Sequence, residues 1–98
     1  MIKKFEDVLR IARERGPKTV AVACAQDNDV LKAIHQAFEN GIIKAMLIGD
    51  AEKIESICKS ENIDCSDYEV INIKDPTEAC LKAVELVSSG KAQLLMKG

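Results

Sequence analysis

The sequence predicts an α/β fold: a doubly wound, three-layer α/β/α sandwich with a mainly parallel sheet, carried by residues 1–98 as a single domain segment. Three observations carry this expectation. Four short apolar runs lack polar alternation, as strands covered on both faces do. Helix-length amphipathic segments separate those runs, which favours parallel pairing through right-handed crossovers. All five glycines fall at segment ends, so local punctuation and hydrophobic pattern agree.

Taken in order, Phe5, Val8, Leu9 and Ala12 form an apolar stripe at helical spacing, which Gly16 and Pro17 end. Thr19 to Ala25 reads as the first strand. From Asp27 the period returns to that of a helix, with Val30, Ile34, Ala37 and Phe38 on its inner face and Gly41 as its stop. Ala45 to Ile48 is the second strand. Asp50 caps a helix carrying Ile54, Ile57 and Cys58, and a polar loop runs from Asn62 to Asp67. Val70 to Ile73 is the third strand. Asp75-Pro-Thr-Glu78 is a strong helix start, with Asp75 as N-cap, Pro76 at the first helical position and Glu78 completing a capping box. Cys80, Ala83, Val84 and Val87 are its expected buried stripe, Gly90 ends it, and Ala92 to Met96 is the fourth strand.

A chain of 98 residues has room for one core. Sixteen acids against fourteen bases leave a net charge of −2, so no overall field attracts nucleic acid or an anionic membrane. Phe5, Phe38 and Tyr68 are too scattered to form base-stacking platforms. The mixed charges of residues 1–15 match neither a signal nor a transit peptide, and no apolar run is long enough to span a bilayer. The expected location is cytoplasmic. There is no C-x-x-C pair, and His35 is the single histidine, so no zinc motif is present. Cys24, Cys58, Cys65 and Cys80 are read as reduced, Cys24 as an inert thiol within a strand, and His35 as a surface residue. G-x-G-x-x-G and G-x-x-x-x-G-K-[ST] are both missing, which leaves nucleotide binding without support.

An open parallel sheet binds ligands outside the carboxyl ends of its strands. That edge should gather Ala25, Gln26 and Asp27, then Gly49 and Asp50, then Lys74 and Asp75, then Lys97 and Gly98. Asp27, Asp50 and Asp75 each stand at a helix start, where capping is the plain role and a joint metal site the sharper alternative. Gln26 suits either solvent or a polar substrate group. Lys97, directly after a strand and before a glycine, sets a cation beside backbone that an anion can approach closely.

Three stretches resemble the phosphate acetyl/butyryltransferase family, its butyryl-transferring members most of all. They are Lys18-Thr-Val-Ala-Val-Ala-Cys-Ala-Gln-Asp27 with Val30-Leu-Lys-Ala33, Ile43-Lys-Ala-Met-Leu-Ile-Gly-Asp50, and the closing run from Asp75-Pro-Thr-Glu-Ala-Cys through Leu-Leu-Met-Lys-Gly98. Cys24, Cys58 and Cys80 depart from small or aliphatic positions of the family, and Gln93 from an acid. The resemblance implies an incomplete Rossmann-like sheet of the isocitrate-dehydrogenase type, forming the amino-terminal part of a longer, two-domain, homo-oligomeric enzyme. It implies transfer of a butyryl or other short-chain acyl group between coenzyme A and inorganic phosphate, with acyl-CoA and phosphate as substrates and no tightly bound cofactor or metal. The catalytic residues are then expected mostly beyond Gly98, and the segment alone is expected to be inactive. Lys97 and Gly98 become the phosphate-side candidates, with Gln26, Asp27, Gly49 and Asp50 lining the same edge.

Two readings from other classes compete. A phosphorelay receiver needs an acidic pair after the first strand and a phosphorylatable Asp after a middle one, and Cys24-Ala-Gln26 and Ile73-Lys74 do not supply them. A non-catalytic domain that dimerises through a sheet edge or helix face requires only exposed apolar surface.

Overall fold

The computed structural model describes residues 2–98. In chain order these form β1 (Ile2–Lys3), α1 (Phe5–Arg15), β2 (Lys18–Ala23), α2 (Asn28–Glu39), β3 (Ile43–Gly49), α3 (Ala51–Ser60), a 3-10 turn (Cys65–Asp67), β4 (Glu69–Asn72), α4 (Pro76–Ser88) and β5 (Leu94–Lys97). The strands build one sheet in the order β1-β5-β2-β3-β4, and every neighbouring pair runs parallel. The chain thus winds outward from β2 through β3 to β4, then returns through α4 to place β5 on the other side of β2.

The reversal in winding divides the apolar residues into two cores. On one face α1, α2 and α3 bury Val8, Leu31, Ile34 and Ile54 against Val20, Val22 and Leu47 of the sheet. On the other face α4 buries Ala79, Ala83 and Leu86 against Ala21, Ala23, Ile48 and Leu95. Both β2 and β3 therefore supply side chains to both cores, which is why they read as unbroken apolar runs.

Helix ends follow local rules. Gly41 and Gly90 take positive φ (71° and 82°) just past α2 and α4. There the N–H groups of Ile42 and Lys91 bond back to the carbonyls of Ala37 and Leu86. Asn62 takes the same role after α3, at φ 59°, because its short polar side chain tolerates the left-handed region. Gln93 extends the β2–β5 pairing, its side-chain carbonyl accepting the Thr19 N–H at 2.9 Å while its own N–H donates to the Thr19 carbonyl at 2.8 Å.

Parallel α/β architecture stands as expected, with corrections of detail. The sheet has five strands rather than four, since Ile2–Lys3 pairs with Leu95 and Met96. The first strand stops at Ala23, two residues early, because Cys24 turns into the left-handed region at φ 56°. Lys97 belongs to β5, opposite Ala23, instead of following it. The third strand lies one residue earlier, at Glu69–Asn72, and the polar loop before it contains the 3-10 turn. The buried stripe of α4 is Ala79, Ala83 and Leu86; Cys80 and Val87 flank it, and Val84 is half exposed. No helix among the described residues is long and apolar enough to cross a membrane.

Candidate functional site

The carboxyl ends of the strands bring the predicted residues to one edge, where they fall into two groups. The first surrounds the amino end of α3. Gly49 leaves the space above its Cα open, and the Gln26 side chain fills it: a Cβ there would collide with Gln26 Oε1. Gln26 Oε1 accepts the Asp50 N–H at 3.3 Å, Asn72 Oδ1 accepts the Ala51 N–H at 3.1 Å, and Asp50 Oδ1 accepts the Lys53 N–H at 3.4 Å. Three of the donors that a helix start would offer to an anion, the N–H groups of Asp50, Ala51 and Lys53, are thus already taken by the chain's own oxygens. Asp27 serves α2 likewise, accepting the Val30 N–H at 2.9 Å.

The second group lies across the edge, between β2, β5 and the start of α4. Gly98 donates its N–H to the Ala23 carbonyl at 2.8 Å, and a Cβ on Gly98 would run into the Cys24 carbonyl oxygen. A glycine is therefore what allows the chain leaving β5 to lie against the turn after β2. Lys97, Pro76, Thr77, Cys80, Leu81 and Val84 line a shallow open cleft of about 310 Å³. Among the described residues no carboxylate forms an ion pair with Lys97. Asp75 occupies the N-cap position of α4 with Pro76 next, yet its side chain accepts no capping hydrogen bond, so the predicted capping box is not formed. Lys74 and Asp75 are exposed.

Cys24 is the main correction on this edge. It is not sealed within a strand but half-buried in the turn, where its thiol meets that of Cys80 on α4. Burial first, and then Cys80, push the Cys24 thiol above its ordinary range, while the Lys97 ammonium opposes them. Sequence reasoning missed Cys80 and Thr77 as edge residues, because spacing placed Cys80 on an inner stripe. It missed Asn72 as well; an amide ending an apolar strand was the available signal.

His35 is the other correction. Its Nδ1 shares a 2.7 Å hydrogen bond with the Tyr68 hydroxyl, its Nε2 lies 3.5 Å from Glu39 Oε1, and its ring stacks on Phe38. It is a partly buried member of an aromatic cluster, away from the carboxyl edge. Cys65, read as a loop residue, packs half-buried against the larger core. Asp27, Asp50 and Asp75 do not combine: no group of three or more His, Cys, Asp or Glu placed to hold a metal occurs among the described residues.

Comparison with known proteins gives the family and the fold. The phosphate butyryltransferase of Clostridium beijerinckii is 53% identical over 98 residues, which cover 100% of this chain and 32% of that protein. The phosphate butyryltransferase of Clostridium acetobutylicum is 46% identical over the same length, 33% of that protein. The phosphate acetyltransferase of Rickettsia felis is 40% identical over 96 residues, 98% of this chain and 28% of that one. The chain spans about a third of the length of these relatives. The solved EutD phosphotransacetylase from Staphylococcus aureus superposes with a TM-score of 0.65 at 21% identity, over 98% of this chain and 38% of that one, and so shares its fold. The family model described as phosphate acetyl/butaryl transferase matches residues 4–93, and with that match the chain belongs to this family.

Proposed function

We propose that the chain is the amino-terminal part of a two-domain enzyme that moves a butyryl or other short-chain acyl group between coenzyme A and inorganic phosphate, yielding an acyl phosphate. The observation that carries this reading is the 53% identity, along the whole chain, to a protein named phosphate butyryltransferase. The substrates are then small molecules, acyl-CoA and phosphate, handled in the cytoplasm without a tightly bound cofactor, by a homo-oligomer.

The chemistry asks for a wall of the kind that the β2–β5 edge offers. A phosphate oxygen attacks the thioester carbonyl carbon, the carbonyl oxygen takes negative charge, and collapse of that intermediate expels the coenzyme thiolate. Two anions must be held in line while charge develops between them. Lys97 is a cation without an ion-pair partner among the described residues, and Gly98, its N–H bonded to Ala23, adds no side chain over the edge beside it, so we assign this pair to the phosphate side. Gln26, Asp27, Gly49 and Asp50 hold the neighbouring loops in shape and line the edge at a distance. A cleft of about 310 Å³ sits at the small end for a ligand site, so the chain is one wall, and the residues that do the chemistry belong to the other. The exposed Leu81 and Val84 are surface that further chain would cover.

The test joins this chain to the remaining two thirds of the Clostridium beijerinckii relative, and follows thiol release from butyryl-CoA with and without phosphate. We expect phosphate-dependent release by the chimera and none by the chain alone. A folded chimera that releases no thiol, or releases it without phosphate, would overturn the acyl-transfer reading. Turnover by the chain alone near the chimera's rate would overturn the one-wall reading.

A further inference from the structure

The four cysteines are in contact as two pairs, each joining different elements. Cys24 in the turn after β2 meets Cys80 on α4, and Cys58 on α3 meets Cys65 in the 3-10 turn. The first meeting follows from the fold. Small residues, Ala21 and Ala23 on the strand with Ala79 and Ala83 on the helix, let α4 lie close on the sheet. In a parallel sheet the crossover helix runs antiparallel to its strands, so the second turn of α4 comes to rest over the carboxyl end of β2. Cys24 and Cys80 pack there against the same small core, and both keep part of their surface. Cys80 also opens onto the cleft that Lys97 lines.

We propose that Cys24 and Cys80 form a reversible disulfide, made by exchange with a low-molecular-weight disulfide that enters through this cleft. The Cys80 thiolate attacks one sulfur of the oxidant R–S–S–R, forming a mixed disulfide and releasing RS⁻, which takes up the proton that Cys80 gave to solvent and leaves as RSH. The Cys24 sulfur then attacks the Cys80 sulfur, closing the cross-link and releasing the second RSH, to which the proton from Cys24 goes. Two thiols of the chain are oxidised and one small disulfide is reduced. The bond ties the turn after β2 to α4 directly beside Lys97, making the cleft responsive to thiol oxidants. The inference stands on the contact of the two thiols and is independent of the acyl-transfer reading.

The second pair is the internal comparison. Cys58 is fully buried, and burial together with Cys65 pushes its thiol up to about 12, so neither access nor thiolate favours exchange there. Cys24 and Cys80 both keep part of their surface, and Cys80 opens onto the cleft, so an oxidant can reach this pair.

The experiment treats the folded chain with oxidised glutathione at mildly alkaline pH, alkylates the remaining thiols at intervals and maps cross-links by peptide mass spectrometry. We expect the Cys24–Cys80 link to form roughly tenfold faster than any Cys58–Cys65 link, to form faster as pH rises, and to be lost on reduction. Cys80→Ser should abolish it and leave Cys58 and Cys65 unchanged. Should that variant fail to fold, as its circular dichroism would reveal, the map of the unsubstituted chain decides alone. A lasting glutathione adduct on Cys80 beside a free Cys24, the absence of a Cys24–Cys80 link, or a Cys58–Cys65 link that forms first would each overturn the proposal.

Discussion

The two faces of the sheet use different side chains to solve the same packing problem. Toward α1–α3 the interface is large and branched, with Leu31, Ile34, Leu47 and Ile54 almost wholly buried. Toward α4 it is built largely from alanines, Ala21 and Ala23 against Ala79 and Ala83. The first face gains stability from volume and hydrophobic area, while the second gains close approach of helix to sheet. The thin face also carries what a bare core would hide: Leu81 is 64% exposed and Val84 50%, and both line the cleft beside Lys97. The α1–α3 face thus carries the larger buried volume, while the outer side of α4 leaves Leu81 and Val84 exposed.

The largest effect should come from the thick face. Leu47→Ala, at a position with no exposure in the middle of β3, should cost about 2–5 kcal/mol by urea unfolding, the usual range for a leucine-sized cavity. A cost below 1 kcal/mol would mean that the face collapses around the gap. On the thin face the opposite change should hurt. Ala83→Leu forces α4 off the sheet and should cost about 1–3 kcal/mol, whereas a looser interface would accept it.

Alkaline pH should then weaken the thick face without mutation. Cys58 and Tyr68 both belong to the α1–α3 core. Burial, joined by Cys65 and Glu55 at the thiol and by Asp67 and Cys58 at the phenol, holds both groups neutral well above their ordinary values. A raised folded value stabilises the native state below the unfolded one and is lost above it. Stability should therefore be flat to about pH 9, where an unfolded thiol ionises, and fall as the pH climbs toward 12. Cys58→Ala should flatten the first part of that decline, measured by urea titration at each pH. The smallest effect belongs to the exposed side of α4, where Leu81→Gln should change the stability of the isolated chain by no more than about 0.5 kcal/mol. A larger loss would show that Leu81 is packed rather than awaiting a partner.

These same contrasts decide what could be read in advance. β2, α2 and β3 were legible because apolar run, helical period and glycine stop coincide at Val20–Ala23, Val30–Phe38 and Gly41. β1 was not, since two residues carry no period and pair only with β5 from the far end of the chain. The stripe of α4 was ambiguous for a physical reason. Ala79, Cys80, Leu81, Ala83, Val84, Leu86 and Val87 are apolar almost all round the helix, so spacing alone cannot choose the face, and small alanines won because they allow close approach. His35 stood among Lys32, Gln36 and Glu39, and the hydrogen bond that draws it inward comes from Tyr68, 33 residues away. At the edge, strand ends predicted which residues would gather. Which would be consumed by capping depended on the side chains of Gln26 and Asn72 reaching across to α3, a tertiary contact without a local signature.

Of the predicted edge residues, we propose that Lys97 with its neighbour Gly98 faces phosphate, while Gln26 and Asp50 maintain the scaffold. The direct measurement is steady-state kinetics of the chimera and its Lys97→Ala variant, with phosphate varied at saturating butyryl-CoA. Loss of a charged hydrogen bond of about 1.5–3 kcal/mol should lower kcat/KM for phosphate by about ten- to a hundredfold. Circular dichroism and urea midpoint should stay unchanged, since Lys97 is exposed at a strand end. An unaltered kcat/KM for phosphate in the folded variant would make Lys97 a solvated lysine and remove it from the phosphate side.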